Sequence, residues 1–93
     1  MRSFLEVDDL NAEELHRVLD LSIDPNPSKV LEGEGVALVF EKPSNRTRNS
    51  MEMAVFQLGG HPVYIRGEEL DFDKRESVED AVSTLSGYYK CIA

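Results

Sequence analysis

Hydroxyl and guanidinium side chains cluster in residues 43–48, PSNRTR, directly after an apolar run. If Ser44 is the N-cap of a helix, the backbone N–H groups of Asn45, Arg46 and Thr47 are free, and the helix dipole adds about half a positive charge. The hydroxyls of Ser44 and Thr47 can donate hydrogen bonds to phosphate oxygens, and a guanidinium can bind two such oxygens at once. The segment therefore predicts a binding site for a phosphate-like anion.

The two arginines of this segment are predicted to have different roles. Arg46 and Arg48 lie two positions apart, roughly 200° around a helix, so they cannot both face one ligand from regular geometry. We assign Arg46 to the anion and Arg48 to structure or to a second contact. The alternative is that both are solvent-exposed charges. Against it, cations at a helix N-terminus oppose the dipole and need a compensating anion.

The anion-binding segment is expected to join a strand to a helix. Residues 36–40, VALVF, form an apolar run without polar alternation, which is typical of a strand buried on both faces of a parallel sheet. After Pro43, apolar residues recur at helical spacing as far as a Gly-Gly stop, and they are Met51, Ala54, Val55 and Leu58. Met53 and Phe56 are interpreted as further core residues.

The elements before and after this pair predict an α/β fold. A capping-box pattern at residues 11–14 indicates a helix that ends near Ile23. Residues 61–65 predict a second strand, residues 77–89 a third helix and residues 90–93 the beginning of a third strand. The connection between the second strand and the third helix is interpreted as a polar loop. The alternation predicts a partial open parallel sheet with flanking helices.

Composition and charge limit the possible partners. The apolar share of 41% and the charged share of 30% are those of a soluble globular protein. Without a membrane-length apolar stretch or a secretory signal, we expect a cytoplasmic protein with no membrane partner. The net charge of −8 disfavours nucleic acid. No metal-ligand spacing is present, and the single cysteine, Cys91, is interpreted as buried packing.

A family resemblance rests on the same segment. Residues 40–48, FEKPSNRTR, with the following SME, resemble the carbamoyl-phosphate signature of aspartate and ornithine carbamoyltransferases, Ser-Thr-Arg-Thr-Arg after a Phe-containing strand. The likeness continues through LGGHPVYI and KRESVEDAVSTLSGYY, and Lys42 and the run GHPVY are more similar to the ornithine enzymes. The resemblance identifies residues 1–93 as an incomplete, truncated carbamoyl-phosphate-binding domain.

The resemblance implies an enzyme that moves the carbamoyl group of carbamoyl phosphate to the side-chain amine of ornithine, giving citrulline and phosphate in arginine biosynthesis. It implies no cofactor and a homotrimeric parent protein. Ser44, Asn45, Arg46 and Thr47 would bind the phosphate, with Arg46 as the catalytic residue. Asn45 stands where the family has Thr, which leaves its side-chain role open. Many ornithine enzymes have a Gln where this chain has Asp71, so that role is not carried over.

Several alternatives stay open from the sequence. The acceptor could instead be aspartate, putrescine or N-acetylornithine, because in this family acceptor specificity lies mainly in a domain beyond residue 93. The chain could also be a non-catalytic phosphate-binding or assembly module. We expect the chain alone to bind phosphate weakly, to be inactive, and to expose apolar surface. Nucleic-acid binding through Arg46 and Arg48 is opposed by the net charge of −8.

Overall fold

Three strands form one parallel sheet in the computed structural model, which describes residues 2–70 and 77–93. The strands are β1 (Gly35–Phe40), β2 (His61–Arg66) and β3 (Cys91–Ile92). Strand β1 lies in the centre, with β2 on one side and β3 on the other, and both pairings are parallel. The predicted α/β fold with a small parallel sheet is confirmed.

Helices precede and connect the strands. After a 3-10 helix (Val7–Asp9), they are α1 (Ala12–Ser22), α2 (Asn45–Gln57), α3 (Gly67–Leu70) and α4 (Val78–Ser86). The predicted capping box of α1 is present, since the side chains of Asn11 and Glu14 each accept a hydrogen bond from the other's backbone N–H, at 2.8 and 3.0 Å. No helix of the described residues is long and apolar enough to span a membrane.

The core is formed where α2 packs against the sheet. Val36, Leu38 and Val55 are buried together, and Leu31, Phe40 and Met51 pack around them. Ala37, which alternates to the opposite face of β1, is also fully buried. The prediction that β1 is buried on both faces is therefore correct for its first half. Burial of a side chain such as Leu38 contributes about 1.5–3 kcal/mol.

The structure corrects the predicted core along α2. Met53 and Phe56 are 52% and 65% exposed, so the interpretation of both as core residues is wrong. Only one stripe of α2 faces the sheet, the stripe that contains Met51 and Val55, and residues at positions 53 and 56 lie about 100–200° away around the helix. Ala54 is exposed as well.

Two further expectations are corrected outside α2. Cys91 is exposed, not buried, because β3 contains two residues and has one described neighbour, β1. The predicted polar loop after β2 begins with the short helix α3. The remainder of that loop, with Asp71, lies outside the described residues. The expected exposed apolar surface is present, and its members include Phe4, Leu5, Val18, Leu19, Phe56 and Tyr88.

Candidate functional site

The predicted anion-binding segment lies at the carboxyl end of the central strand. Strand β1 ends at Phe40, and α2 begins at Asn45 with Ser44 as its N-cap. From there the chain crosses to β2 on one side of β1, while β3 pairs on the other side. In open α/β sheets, ligands bind beyond the carboxyl ends of strands at the point where neighbouring connections diverge. The fold therefore puts the segment where such a site is expected.

The hydroxyl of Ser44 does not cap its own helix. Ser44 has an extended backbone, with φ −146° and ψ 95°, and its side chain makes no capping hydrogen bond. Helices α1 and α4 behave differently, since the side chains of Asn11 and Ser77 each accept a backbone N–H of the first turn. Because the first N–H groups of a helix have no intrahelical acceptor, the start of α2 keeps free donors for an anion.

Arg46 offers a free cation beside these donors. Its guanidinium forms no ion pair or hydrogen bond within the described residues, whereas Arg2, Arg48 and Arg66 are all paired with glutamates. Residues 44–47 are all exposed. The described part of the chain thus supplies donors for one side of the candidate anion site, and these residues are exposed to solvent.

Asn45 uses its side chain within the helix. Its Oδ1 accepts a hydrogen bond from Nδ2 of Asn49 at 2.9 Å, and the same Nδ2 donates to the carbonyl of Asn45 at 2.8 Å. The amide that stands in place of the family's Thr hydroxyl is therefore held along α2. The backbone N–H of Asn45 has no acceptor among the described residues, and its role in anion binding stays a prediction.

Arg48 makes contacts that Arg46 does not. Its Nε donates to Oε1 of Glu52 at 3.0 Å, and its guanidinium carbon lies 3.9 Å from the centroid of the Tyr64 ring. The structure thus separates the two arginines, with Arg48 against β2 and Arg46 away from these contacts. The predicted roles of both residues in ligand binding stay predictions.

A third arginine at the same edge of the sheet is neutralised by its neighbours. Arg66 ends β2, and its guanidinium pairs with Glu69 at 3.2 Å and Glu68 at 3.3 Å. The hydrogen bond to Glu69 and then the charge of Glu68 raise the pKa of Arg66 above its ordinary value. Since these carboxylates would repel an anion, Arg66 is a poor candidate for phosphate binding.

One cavity among the described residues lies away from the segment. A cavity of about 1100 Å³ lies at the far end of α2, lined by residues such as Leu21, Pro25, Ala54 and Leu58, and no residue of the anion-binding segment lines it. Within residues 2–70 and 77–93, no three His, Cys, Asp or Glu side chains are grouped to hold a metal ion.

Sequence reasoning missed Tyr64 and the pairing of Glu52. The pairing had a readable signal, because Arg48 and Glu52 are spaced i, i+4 on one helix. The contact with Tyr64 had none, since it depends on how α2 lies across β2. Both residues belong to the surroundings of the candidate site.

Comparison with known proteins points to one family. The family described as aspartate/ornithine carbamoyltransferase, carbamoyl-P binding domain, matches residues 2–93. The ornithine carbamoyltransferase of Methanocaldococcus jannaschii is 37% identical over an alignment of 93 positions, which covers 95% of this chain and 30% of that protein. That of Mycolicibacterium smegmatis is 43% identical over an alignment of 97 positions, which covers 99% of this chain and 32% of that protein.

Solved structures agree with this result. The ornithine carbamoyltransferase from Pyrococcus furiosus matches with a TM-score of 0.83 and 35% identity, over 98% of this chain and 31% of that one. The catalytic subunit of M. jannaschii aspartate transcarbamoylase matches with a TM-score of 0.75 and 34% identity, over 99% of this chain and 33% of that one. The chain therefore spans about a third of the length of its relatives. The structural matches include proteins named for two different acceptors, ornithine and aspartate.

Proposed function

Because the chain belongs to the aspartate/ornithine carbamoyltransferase family, we propose that residues 44–47 hold the phosphate group of carbamoyl phosphate. One observation carries the proposal. At the carboxyl end of β1, the Ser44 hydroxyl, the first N–H groups of α2 and the Arg46 guanidinium are all without partners among the described residues. Helix N–H groups, hydroxyls and guanidinium groups are donors that proteins commonly use to bind phosphate.

The donors would act on the leaving group of the reaction. A neutral amine attacks the carbonyl carbon of carbamoyl phosphate, a C–N bond forms, the C–O bond to phosphate breaks, and phosphate leaves with the electron pair. The attacking nitrogen gives up one proton, and the departing phosphate, which is a base, accepts it. Negative charge on the phosphate grows as that bond breaks. Donors that bind the more highly charged phosphate more tightly stabilise the transition state over the substrate. In this scheme Arg46 is the catalytic residue, and Ser44, Asn45 and Thr47 bind the same group.

We propose ornithine as the acceptor in the whole protein, with citrulline and phosphate as products of arginine biosynthesis in the cytoplasm. The support is the name of the relatives from M. jannaschii and M. smegmatis, both ornithine carbamoyltransferases. Aspartate transcarbamoylase and N-acetyl-L-ornithine transcarbamylase are also among the structural matches, so aspartate and N-acetylornithine are the alternatives to test. A trimeric assembly belongs to the same proposal.

By itself, the chain is proposed to be an incomplete carbamoyl-phosphate-binding domain over residues 1–93. It matches only 30–32% of the length of the M. jannaschii and M. smegmatis ornithine carbamoyltransferases. The described residues form one side of the proposed anion site. We therefore expect it to bind phosphate without turnover, which is also the behaviour of a phosphate-binding module.

Backbone amide signals test the binding proposal directly. We expect carbamoyl phosphate and inorganic phosphate to shift the ¹⁵N–¹H signals of Asn45, Arg46 and Thr47 at millimolar concentration. Arg46→Ala should raise the Kd by about tenfold or more, since a hydrogen bond to a charged group contributes about 1.5–3 kcal/mol. Arg17→Ala is the matched control, because Arg17 is an exposed arginine on α1 without an ion pair among the described residues.

Two results would count against binding at this site. The first is that the three amides do not respond to either ligand. The second is that Arg17→Ala weakens binding as much as Arg46→Ala, which would indicate attraction by overall charge.

Catalytic competence needs the rest of an enzyme. Residues 1–93 can replace the corresponding part of the M. smegmatis ornithine carbamoyltransferase, and citrulline formation can be measured. We expect a working chimera in which Arg46→Ala lowers kcat by about 100-fold or more, the usual effect of removing a donor to a developing charge. A folded chimera that binds phosphate but forms no citrulline would refute the catalytic part of the proposal.

A further inference from the structure

We propose that Arg48 is a positioning residue that holds the first turn of α2 against β2 through the ring of Tyr64. In this role it sets the direction of the N–H groups of residues 45–47, without contacting the phosphate. The inference rests on the proposed function of those residues, and it names a contact between helix and strand that controls their geometry.

Arg48 belongs to the face of α2 that packs on the sheet. Arg48, Met51, Glu52 and Val55 are spaced i, i+3, i+4 and i+7, which puts them on one stripe of the helix. Val55 is buried and Met51 and Glu52 are half-buried. Arg48 is thus the member of this stripe closest to the helix start, and its side chain lies at the edge of the sheet, next to the candidate site.

The guanidinium of Arg48 is held from two sides. Its central carbon lies 3.9 Å from the centre of the Tyr64 ring, a distance at which a flat cation stacks on an aromatic face. Its Nε donates to Glu52 at 3.0 Å, which fixes the orientation of the group. Tyr64 in turn packs against Phe40, with ring centroids 5.6 Å apart. The contact therefore connects α2 to the end of β1 and to β2 at a point two residues before its end.

The residue held by Tyr64 also closes the first turn of α2. The backbone N–H of Arg48 donates to the carbonyl of Ser44 at 2.9 Å. Asn45, Arg46 and Thr47 lie between these two residues. A change in the position of Arg48 would therefore move the turn that carries the proposed phosphate donors.

Phosphate affinity across a double-mutant cycle tests this role. Arg48→Met should raise the Kd for inorganic phosphate by about fivefold, which corresponds to the loss of one cation–π contact. Tyr64→Leu should raise it by a similar factor although Tyr64 does not touch the ligand. The double variant should be no worse than either single one, because both remove the same contact. Tyr64→Phe keeps the ring and should keep the affinity.

Direct binding of phosphate by Arg48 predicts a different pattern. In that case Arg48→Met weakens binding, Tyr64→Leu leaves the Kd at the level of the natural chain, and the positioning role is refuted. Arg17→Met and Tyr88→Leu are the matched controls, since both residues are exposed, Tyr88 to 78%, and lie outside this contact. All binding measurements are made under conditions in which urea unfolding shows that each variant is folded.

A readout without ligand separates this inference from the proposed function. In the free protein, hydrogen exchange of the Arg48 amide should be about fivefold faster in Tyr64→Leu than in Tyr88→Leu, because the first turn of α2 is less well held. Unchanged exchange would overturn the positioning role. If the natural chain binds no phosphate, the proposed function fails, and the exchange rate still decides whether Tyr64 holds the helix start. If Tyr64→Leu does not fold, Arg48→Lys is the alternative variant, because it keeps the charge but loses the planar guanidinium. Hydrogen exchange of the amide at position 48 should then still be faster than in the natural chain.

Discussion

Replacing Ser44 with alanine should leave the stability of the chain nearly unchanged, although a serine at an N-cap usually contributes about 1 kcal/mol. The reason is that the Ser44 hydroxyl makes no capping hydrogen bond to α2. Ser77 is the matched comparison, since it is also an N-cap serine and its Oγ accepts the N–H of Asp80 at 3.1 Å. Ser77→Ala should therefore cost about 1 kcal/mol and lower the Tm by about 4–8 °C in a chain of this size.

For phosphate binding the order should be reversed, with the larger effect from Ser44→Ala and the smaller from Ser77→Ala. Ser44→Ala removes one of the proposed donors and should raise the Kd for phosphate by about two- to tenfold, the range of a single hydrogen bond. Ser77→Ala, at the start of α4, should not change it. Thermal unfolding followed by circular dichroism and a phosphate titration of the same samples give both quantities.

Two outcomes for Ser44→Ala would refute the proposed role of its hydroxyl. If Ser44→Ala lowers the Tm as much as Ser77→Ala does, the hydroxyl caps α2 in solution and is not free for a ligand. If Ser44→Ala changes neither the Tm nor the Kd, the hydroxyl is not part of the site.

Two further predictions concern stability. A hydrogen bond from Arg2, then one from a backbone N–H, lowers the pKa of Glu14 from 4.5 to about 2. A depressed pKa stabilises the fold above about pH 4.5, and the effect is lost as the pH falls toward 2. Glu14→Gln should therefore be less stable in urea at neutral pH, with a deficit that shrinks in acid; a constant deficit would contradict this. Gly59→Ala should cost about 1–2 kcal/mol, because φ is +86° and the new Cβ would lie 3.1 Å from Cα of Glu32. Gly33→Ala, at φ +76° in open space, should cost less on urea unfolding, and equal costs would exclude crowding.

Local patterns predicted the elements of the fold well. The apolar run at residues 36–40, the Gly-Gly stop after α2 and the serine before α4 each correspond to an observed boundary. These signals are reliable because strand burial, helix caps and glycine stops depend on neighbouring residues. The strand order was not predicted, since pairing of β1 with both β2 and β3 depends on long connections.

Burial was predicted less well than secondary structure. Met53 and Phe56 are apolar and lie on a helix, yet both face away from the sheet. Hydrophobicity indicates which residues favour burial, whereas the packing direction of α2 decides which of them find a partner. The exposure of Cys91 has a similar cause, because a two-residue strand with one described neighbour covers little surface.

Residues 44–47 could be identified as the candidate site without a structure, because an N-cap serine, free helix N–H groups and a nearby arginine are adjacent in the chain. Their family signature is equally local. Helix spacing already predicted different roles for the two arginines, but only the tertiary structure identified their contacts, since it packs the stripe of Arg48 onto Tyr64 and leaves Arg46 without a partner among the described residues. It also put the segment at the end of a central strand. Both outcomes depend on contacts between residues far apart in sequence, which spacing within a single helix does not contain.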